Sequence, residues 1–231
     1  MDLATPEPYN ITDASPFIVD PTLPHIHICA PTPELCAIAQ DIFTAHPAFT
    51  VSAASLTTTG IPHLVVPGDS FGLFTEGGVD SVVAEFLSAP PTNDLVATVQ
   101  TLLRERWVGE LPVGQAVYIP QRHATVRGVI YAPTARIPGD VSETVNAYLA
   151  FRATLLAARD RLLSHLAAPL FATGAGGMDP ITACLQMREA YDTIARRTFL
   201  TEDFGWSAAW KHHRSILPDP DDDFARRSKS E

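Results

Sequence analysis

Apolar residues along this chain fall alternately into short runs and into helical spacing. His25-Ile-His-Ile-Cys29 alternates with a period of two and predicts a first strand. Pro33 to His46 then places Leu35, Ile38, Ala39, Ile42 and Phe43 on one helical face, with Pro33 suited to the first turn. Phe49 to Ala53 and Leu64 to Pro67 are short apolar or β-branched runs of the kind that form buried strands, and Thr57-Thr-Thr-Gly60 between them reads as a turn. Val79 to Leu87, and Asn93 or Asp94 to Trp107, carry helical stripes. Val113 to Ile119 and Gly128 to Ala132 predict two more strands. The longest helix is expected from Ser142 to Leu166, followed by a final strand at Leu170 to Ala172. Asp179 has the character of an N-cap and Pro180 that of a first helical residue, opening a helix that carries Ile181, Cys184, Leu185 and Ile194.

Strands and helices that alternate in this way imply an α/β fold with a mainly parallel sheet covered on both faces. The domain is expected over residues 23–200. Before it, residues 1–22 hold four prolines and little periodicity and read as an extended arm. After it, residues 201–231 read as an extension whose Phe204, Trp206 and Trp210 dock on the domain, ending in a disordered tail with Asp219-Pro-Asp-Asp-Asp223.

Composition narrows the function classes. With 231 residues, 46% of them hydrophobic and 18% charged, the chain is globular. Sixteen basic against 26 acidic residues give a formal charge of −10, which argues against nucleic acid or an anionic membrane as partner. Three cysteines, Cys29, Cys36 and Cys184, form no C-x-x-C pair and read as reduced and buried, with neither a disulfide framework nor a zinc site. The first 20 residues hold acids and prolines where a signal peptide needs a basic start and an apolar stretch, so the expected location is cytoplasmic, with the nucleus also open. Oligomeric state is not legible.

Candidate chemistry concentrates in two glycine-bearing segments, each after a strand-like run and before a helix-like one. The first is His63-Leu-Val-Val-Pro-Gly-Asp-Ser-Phe-Gly-Leu-Phe-Thr-Glu-Gly-Gly-Val-Asp80, and the second is Ala168-Pro-Leu-Phe-Ala-Thr-Gly-Ala-Gly-Gly-Met-Asp-Pro180. Glycines let backbone approach a ligand and helix starts present unpaired N–H groups, so two such junctions can grip a phosphate. Asp69 either accepts from a ribose diol or orients a water, or merely closes an Asx-turn. Asp80 has the same two readings, with complementing of the helix dipole the simpler. The second segment lacks the Lys-Ser/Thr of a Walker loop and the G-x-G-x-x-G spacing of a dinucleotide fold. His25 and His27 share one strand face without a third metal ligand. Arg122, His123 and Arg127 form a local basic cluster that reads as a solvated loop or as a contact for a second phosphate, and His212-His213 reads as solvated. Ser70 has no nucleophile-elbow context.

Taken together and in this order, the segments resemble a macro domain over roughly His25 to Arg197. The specific points are Val65-Val-Pro-Gly-Asp-Ser70, Gly77-Gly-Val-Asp80, Ile130-Tyr-Ala-Pro133 and Pro169-Leu-Phe-Ala-Thr-Gly-Ala-Gly-Gly177. The resemblance implies a three-layer α/β/α fold with an ADP-ribose cleft. It places Gly77, Gly78 and Val79 at the diphosphate and distal ribose, and Thr173, Gly174, Ala175, Gly176 and Gly177 around the diphosphate, with Ser70, Pro133 and Met178 beside them. Asp69 and Asp80 are the implied catalytic candidates, for hydrolysis of an ADP-ribosyl or O-acetyl-ADP-ribose substrate. No cofactor and no metal are implied; the expected partner is an ADP-ribose-type small molecule or an ADP-ribosylated protein. The chain departs from the family pattern at Asp69 (usually Asn), at Ala84 and Glu85 (His-Arg in several hydrolases), at Gly176 (often aromatic), and at Ser55-Leu56, where an adenine-reading aspartate usually stands. A non-catalytic binding module, or an interaction domain that has lost the ligand, are the alternatives.

Overall fold

A computed structural model describes residues 18–74, 77–88, 94–200 and 204–218. Most of the expected arm, Asn93, and the acidic stretch at 219–223 lie outside the described residues. The strands are β1 His25–Cys29, β2 Phe49–Ser52, β3 His63–Asp69, β4 Val117–Pro120, β5 Gly128–Ala135 and β6 His165–Pro169. The helices are α1 Pro33–Phe43, α2 Val79–Leu87, α3 Leu95–Trp107, α4 Asn146–Asp160, α5 Pro180–Ala195 and α6 Trp206–Ser215. The strands make one sheet in the order β2-β1-β6-β3-β5-β4, parallel throughout except for β4, which runs antiparallel on β5.

Period-two alternation divides the side chains of the central strands between two cores. Val65, Ile130, Ala132, Leu166 and Ala168 face a layer made by α1, α4 and α5. Leu64, Val66, Val129, Tyr131 and Ala167 face the opposite layer, with Val83 and Leu87 of α2 and Val99 and Leu103 of α3. The result is the three-layer α/β/α arrangement. Local chemistry starts the helices where expected: Thr32 caps α1 before Pro33, Asp94 caps α3, and the Asp179 carboxylate accepts the Thr182 N–H at 2.8 Å before Pro180. Among the described residues no helix is long and apolar enough to cross a membrane.

Four expectations are corrected. The segment 142–166 is not one helix: α4 ends at Asp160 and β6 begins at His165, so the strand expected at Leu170 to Ala172 lies earlier, and those three residues start the following loop. Leu162 turns left-handed (φ 53°), with its N–H bonded to Arg159 O at 2.9 Å and the Leu163 N–H to Ala158 O at 3.0 Å. This is a Schellman stop built without glycine. Trp206 and Trp210 also do not dock; Trp206 is 82% exposed, and α6 turns its other face inward. There His212, expected to be solvated, sits between the Tyr148 and Phe199 rings with Nε2 3.3 Å from Glu189 Oε1, and Ile216 joins the core.

Candidate functional site

In parallel sheets, ligands gather beyond the carboxyl ends of the strands. Here β3 and β6 are neighbours, so the loop that enters α2 and the loop that follows β6 rise side by side. Between them opens a cleft of about 650 Å³. Its wall holds Pro67, Gly68 and Asp69 from β3; Gly77, Gly78, Val79 and Asp80 at the start of α2; and Thr173, Gly174, Ala175 and Gly176 after β6. The segments singled out in the sequence therefore meet across one space.

The backbone is the main source of polarity. Gly78 caps α2 without a side-chain bond of its own, at the helix start where backbone N–H groups lack intrahelical partners. Among the described residues, the N–H groups of Gly78, Val79, Thr173, Gly174, Ala175 and Gly176 have no hydrogen-bond acceptor. The second loop is nevertheless held firmly. Gly177 N–H bonds Gly174 O at 2.9 Å, Met178 N–H bonds Ala172 O at 3.0 Å, and Val141 N–H bonds Gly176 O at 2.9 Å. A Cβ on Gly176 would stand 2.6 Å from Ala172 O and 2.9 Å from Val141 Cγ2, so Val141 packs where a side chain at 176 would begin.

The two acidic candidates differ. The Asp69 carboxylate accepts the Phe71 N–H at 2.7 Å and the Leu73 N–H at 3.2 Å, which is the turn-closing role. Its carbonyl accepts the Tyr131 hydroxyl at 2.7 Å, and the Tyr131 ring stacks on Phe74. Burial, and then the charges of Asp69 and Asp80, push the Tyr131 hydroxyl far above its usual range, so it stays a neutral donor pinning the first loop. Asp80 is 5% exposed in the first turn of α2, with Oδ1 accepting the Ser81 N–H at 2.9 Å. Among the described residues the wall contains no Lys, Arg or His.

Four of the residues expected at the ligand lie outside the wall. Ser70 is turned behind the sheet end, its N–H bonded to Arg136 O and its carbonyl to the Leu111 N–H. Pro133 pairs with Gly68 inside the sheet, and a register shift after it brings Thr134 and Ala135 to the cleft instead. Gly177 turns back on Gly174, and Met178 is buried in the core. Conversely, sequence reasoning missed Cys29, Pro31, Leu35, Thr134, Ala135, Pro138 and Gly139, all in the wall. Their only signal is position at or just beyond the carboxyl ends of β1 and β5, legible once strand order is known.

Of the departures, Ala84 packs against the core under α2, Glu85 is exposed, and neither lines the cleft. The remaining candidates sit elsewhere. His27 uses both ring nitrogens on hydroxyls, Nδ1 at 2.9 Å from Thr50 and Nε2 at 2.7 Å from Ser52, and burial holds the pKa of His25 and His27 below the usual histidine range. No metal-binding group is found among the described residues. Arg122, His123 and Arg127 connect β4 to the amino end of β5, opposite the cleft, which removes them as a second phosphate contact. Cys29, Cys36 and Cys184 are free and buried; burial pushes the Cys29 thiol up to about 12, so it is no nucleophile at neutral pH.

Comparison with known proteins places this geometry. The Macro domain family model matches residues 72–187, half of the 231-residue chain. No curated protein matches the sequence. Among solved structures, the chain is similar to the macrodomain of Mycobacterium tuberculosis DarG (14% identity, 63% of this chain and 91% of that one, TM-score 0.54). It is also similar to a mutant of the Oceanobacillus iheyensis macrodomain (15% identity, 71% and 87%, TM-score 0.52). A third is the Trypanosoma brucei macrodomain in complex with ADP (14% identity, 92% and 78%, TM-score 0.50). At such identities the structures speak to the fold alone, and they agree with the sheet and layers described above. With half of the sequence matching the family model and the architecture matching its solved members, this chain belongs to the macro domain family.

Proposed function

We propose that the cleft binds ADP-ribose or a related nucleoside diphosphate. The observation that carries this reading is the set of N–H groups from Gly78, Val79 and Thr173 to Gly176, which have no acceptor among the described residues and belong to two loops that line one cleft. Backbone amides and a helix start can hold a diphosphate without cationic side chains, which suits an acidic protein. The Trypanosoma brucei relative was solved with ADP, the nucleotide half of the same ligand. The expected partners follow: free ADP-ribose-type molecules or the ADP-ribosyl group on a protein.

Gly174 offers a clean test. It is exposed and a Cβ there meets nothing within 4 Å, so Gly174→Glu leaves the fold intact while sending a carboxylate into the diphosphate path. Calorimetry with ADP-ribose is expected to show binding to the wild type and a loss of about 100-fold or more in the variant, by charge repulsion and occupied space. Equal affinity of the two proteins would place the ligand elsewhere.

A second reading, hydrolysis at the distal ribose, is favoured by Asp80, whose carboxylate stands in the wall beside the open amides. There it would orient a water and take its proton, either for attack at the anomeric carbon of an ADP-ribosylated protein, where the bond to the protein side chain breaks and that side chain leaves, or for attack at the acetyl carbonyl of O-acetyl-ADP-ribose, where acetate leaves, while the amides hold the diphosphate in place. Asp69 has no part in this, because its own loop occupies it. ADP-ribosylated protein and O-acetyl-ADP-ribose are the substrates to follow. Turnover by the wild type that falls at least about 100-fold in Asp80→Ala, with ADP-ribose still bound, is the expected outcome for an enzyme. Binding without turnover of either substrate identifies a non-catalytic module.

A further inference from the structure

The turn between β5 and α4 is bonded to the cleft at one end and to the helical layer at the other. Val141 N–H donates to Gly176 O at 2.9 Å, and its side chain occupies the space beside Gly176. Three residues on, Thr144 N–H donates back to Val141 O at 3.1 Å, which ties the two ends of the turn together. Asn146 Nδ2 holds the same segment to Thr134 O, in the cleft wall, at 2.8 Å. Away from the cleft, Thr144 O accepts Gln186 Nε2 at 2.8 Å.

Gln186, on α5, is 1% exposed and uses its whole side-chain amide. Its Oε1 accepts the Tyr148 N–H at 3.1 Å, a first-turn amide of α4 that the apolar residue at the cap position, Val145, has no side chain to satisfy. The second Nε2 proton goes to Ile216 O, also at 2.8 Å, just after the end of α6. Three helices and the turn therefore meet on one buried side chain. Consecutive hydrogen bonds run from Ile216 through Gln186, Thr144 and Val141 to Gly176 in the cleft.

We propose that Gln186 is a positioning residue for the cleft, through which the docking of α6 sets the order of the 141–145 turn and of the loop at Gly174–Met178. Helix α6 suits the part of a latch. None of residues 206–215 is fully buried, and the described attachments are His212, between the Tyr148 and Phe199 rings and 3.3 Å from Glu189, and Ile216. A segment with so little buried surface opens at lower free energy than the core. When it opens, Ile216 O leaves and one Gln186 proton loses its acceptor in a buried place. The amide then turns or draws in water, and its bonds to Thr144 and Tyr148 weaken with it. The effect on the loop needs no ligand; the effect on affinity rests on the diphosphate reading above.

The test is residue-level amide hydrogen exchange on the full chain. In the wild type, the Ala209 amide of α6 is expected to exchange faster than the amides of β3; equal rates would mean that α6 opens only with the whole domain, and overturn the proposal. Ile216→Ala changes no residue of α4 or α5. It is expected to speed exchange at Val141, Gly177 and Met178 by about fivefold or more, with the α3 amides unchanged, and to weaken ADP-ribose binding by a similar factor. Linkage is reciprocal, so saturating ADP-ribose is expected to slow wild-type exchange in α6. Gln186→Glu keeps the acceptor for Tyr148 and drops both donors, and is expected to loosen the same three amides; should it fail to fold, the Ile216→Ala and ligand measurements decide. Unchanged rates at the three amides in Ile216→Ala or in a folded Gln186→Glu protein, or an equal rise in α3, overturn the proposal. Loosened amides with unchanged affinity overturn its bearing on the ligand. A wild type that binds no ADP-ribose overturns the diphosphate reading alone, because the amide rates decide the coupling without it.

Discussion

Both oxygens of Asp69 are within reach of N–H groups of its own loop, so the carboxylate acts as a clasp for residues 69–73. Asparagine at this site keeps one acceptor for the Phe71 N–H but turns an amide donor toward the Leu73 N–H. Asp69→Asn is therefore expected to lower stability by about 1–3 kcal/mol, read as a lower denaturation midpoint, since a donor facing a donor loses the bond and leaves a buried group unsatisfied. An unchanged midpoint would show that the clasp contributes nothing. The residue type at 69 allowed both a ligand-facing and a turn-closing role, and only the path of Phe71 to Leu73 chose between them. Gly176 is similar: glycine there is required by Ala172 O and Val141, two contacts 4 and 35 positions away in the chain that no local pattern announces.

At the scale of elements, alternation and capping were legible wherever both agreed. β1, α1, α2, α3 and α5 stand close to their expected bounds, because each pairs a period with a chemical boundary such as Pro33, Asp94 or Asp179. The failure came at residues 155–166, where leucines continue the helical spacing and no glycine marks the end of α4. The chain stops there through a left-handed leucine that is 87% exposed and contributes little packing. Asparagine adopts this conformation more readily, so Leu162→Asn is expected to raise stability by about 0.5–1 kcal/mol. Urea denaturation would show it as a higher midpoint at the same slope; a lower midpoint would mean that Leu162 makes contacts worth more than its strain. Helix α6 carries the same lesson, because which of its faces turns inward depends on the groove offered by Tyr148, Phe199 and Gln186.

The whole molecule carries a formal charge of −10, and the cleft wall adds Asp69 and Asp80 without a cation among the described residues. Long-range electrostatics therefore oppose a diphosphate while the amides attract it at short range. Raising salt from about 0.01 to 0.15 M shortens the Debye length from about 30 to about 8 Å and screens the repulsion more than the contacts. ADP-ribose affinity is expected to stay level or rise over that range; a fall of about tenfold would reveal cationic side chains at the ligand. The sequence by itself determined the α/β class, the two glycine segments and their family, because periodicity, caps and glycines are local and survive in the order of residues. Tertiary structure decided what the segments enclose. Only the placing of β6 between β1 and β3 brings the loops together, gives the cleft an apolar end at Cys29, Leu35 and Leu56, and turns the Asp69 carboxylate into its own loop. Those are contacts between residues far apart in the chain, set by strand order and packing, and no local pattern encodes them.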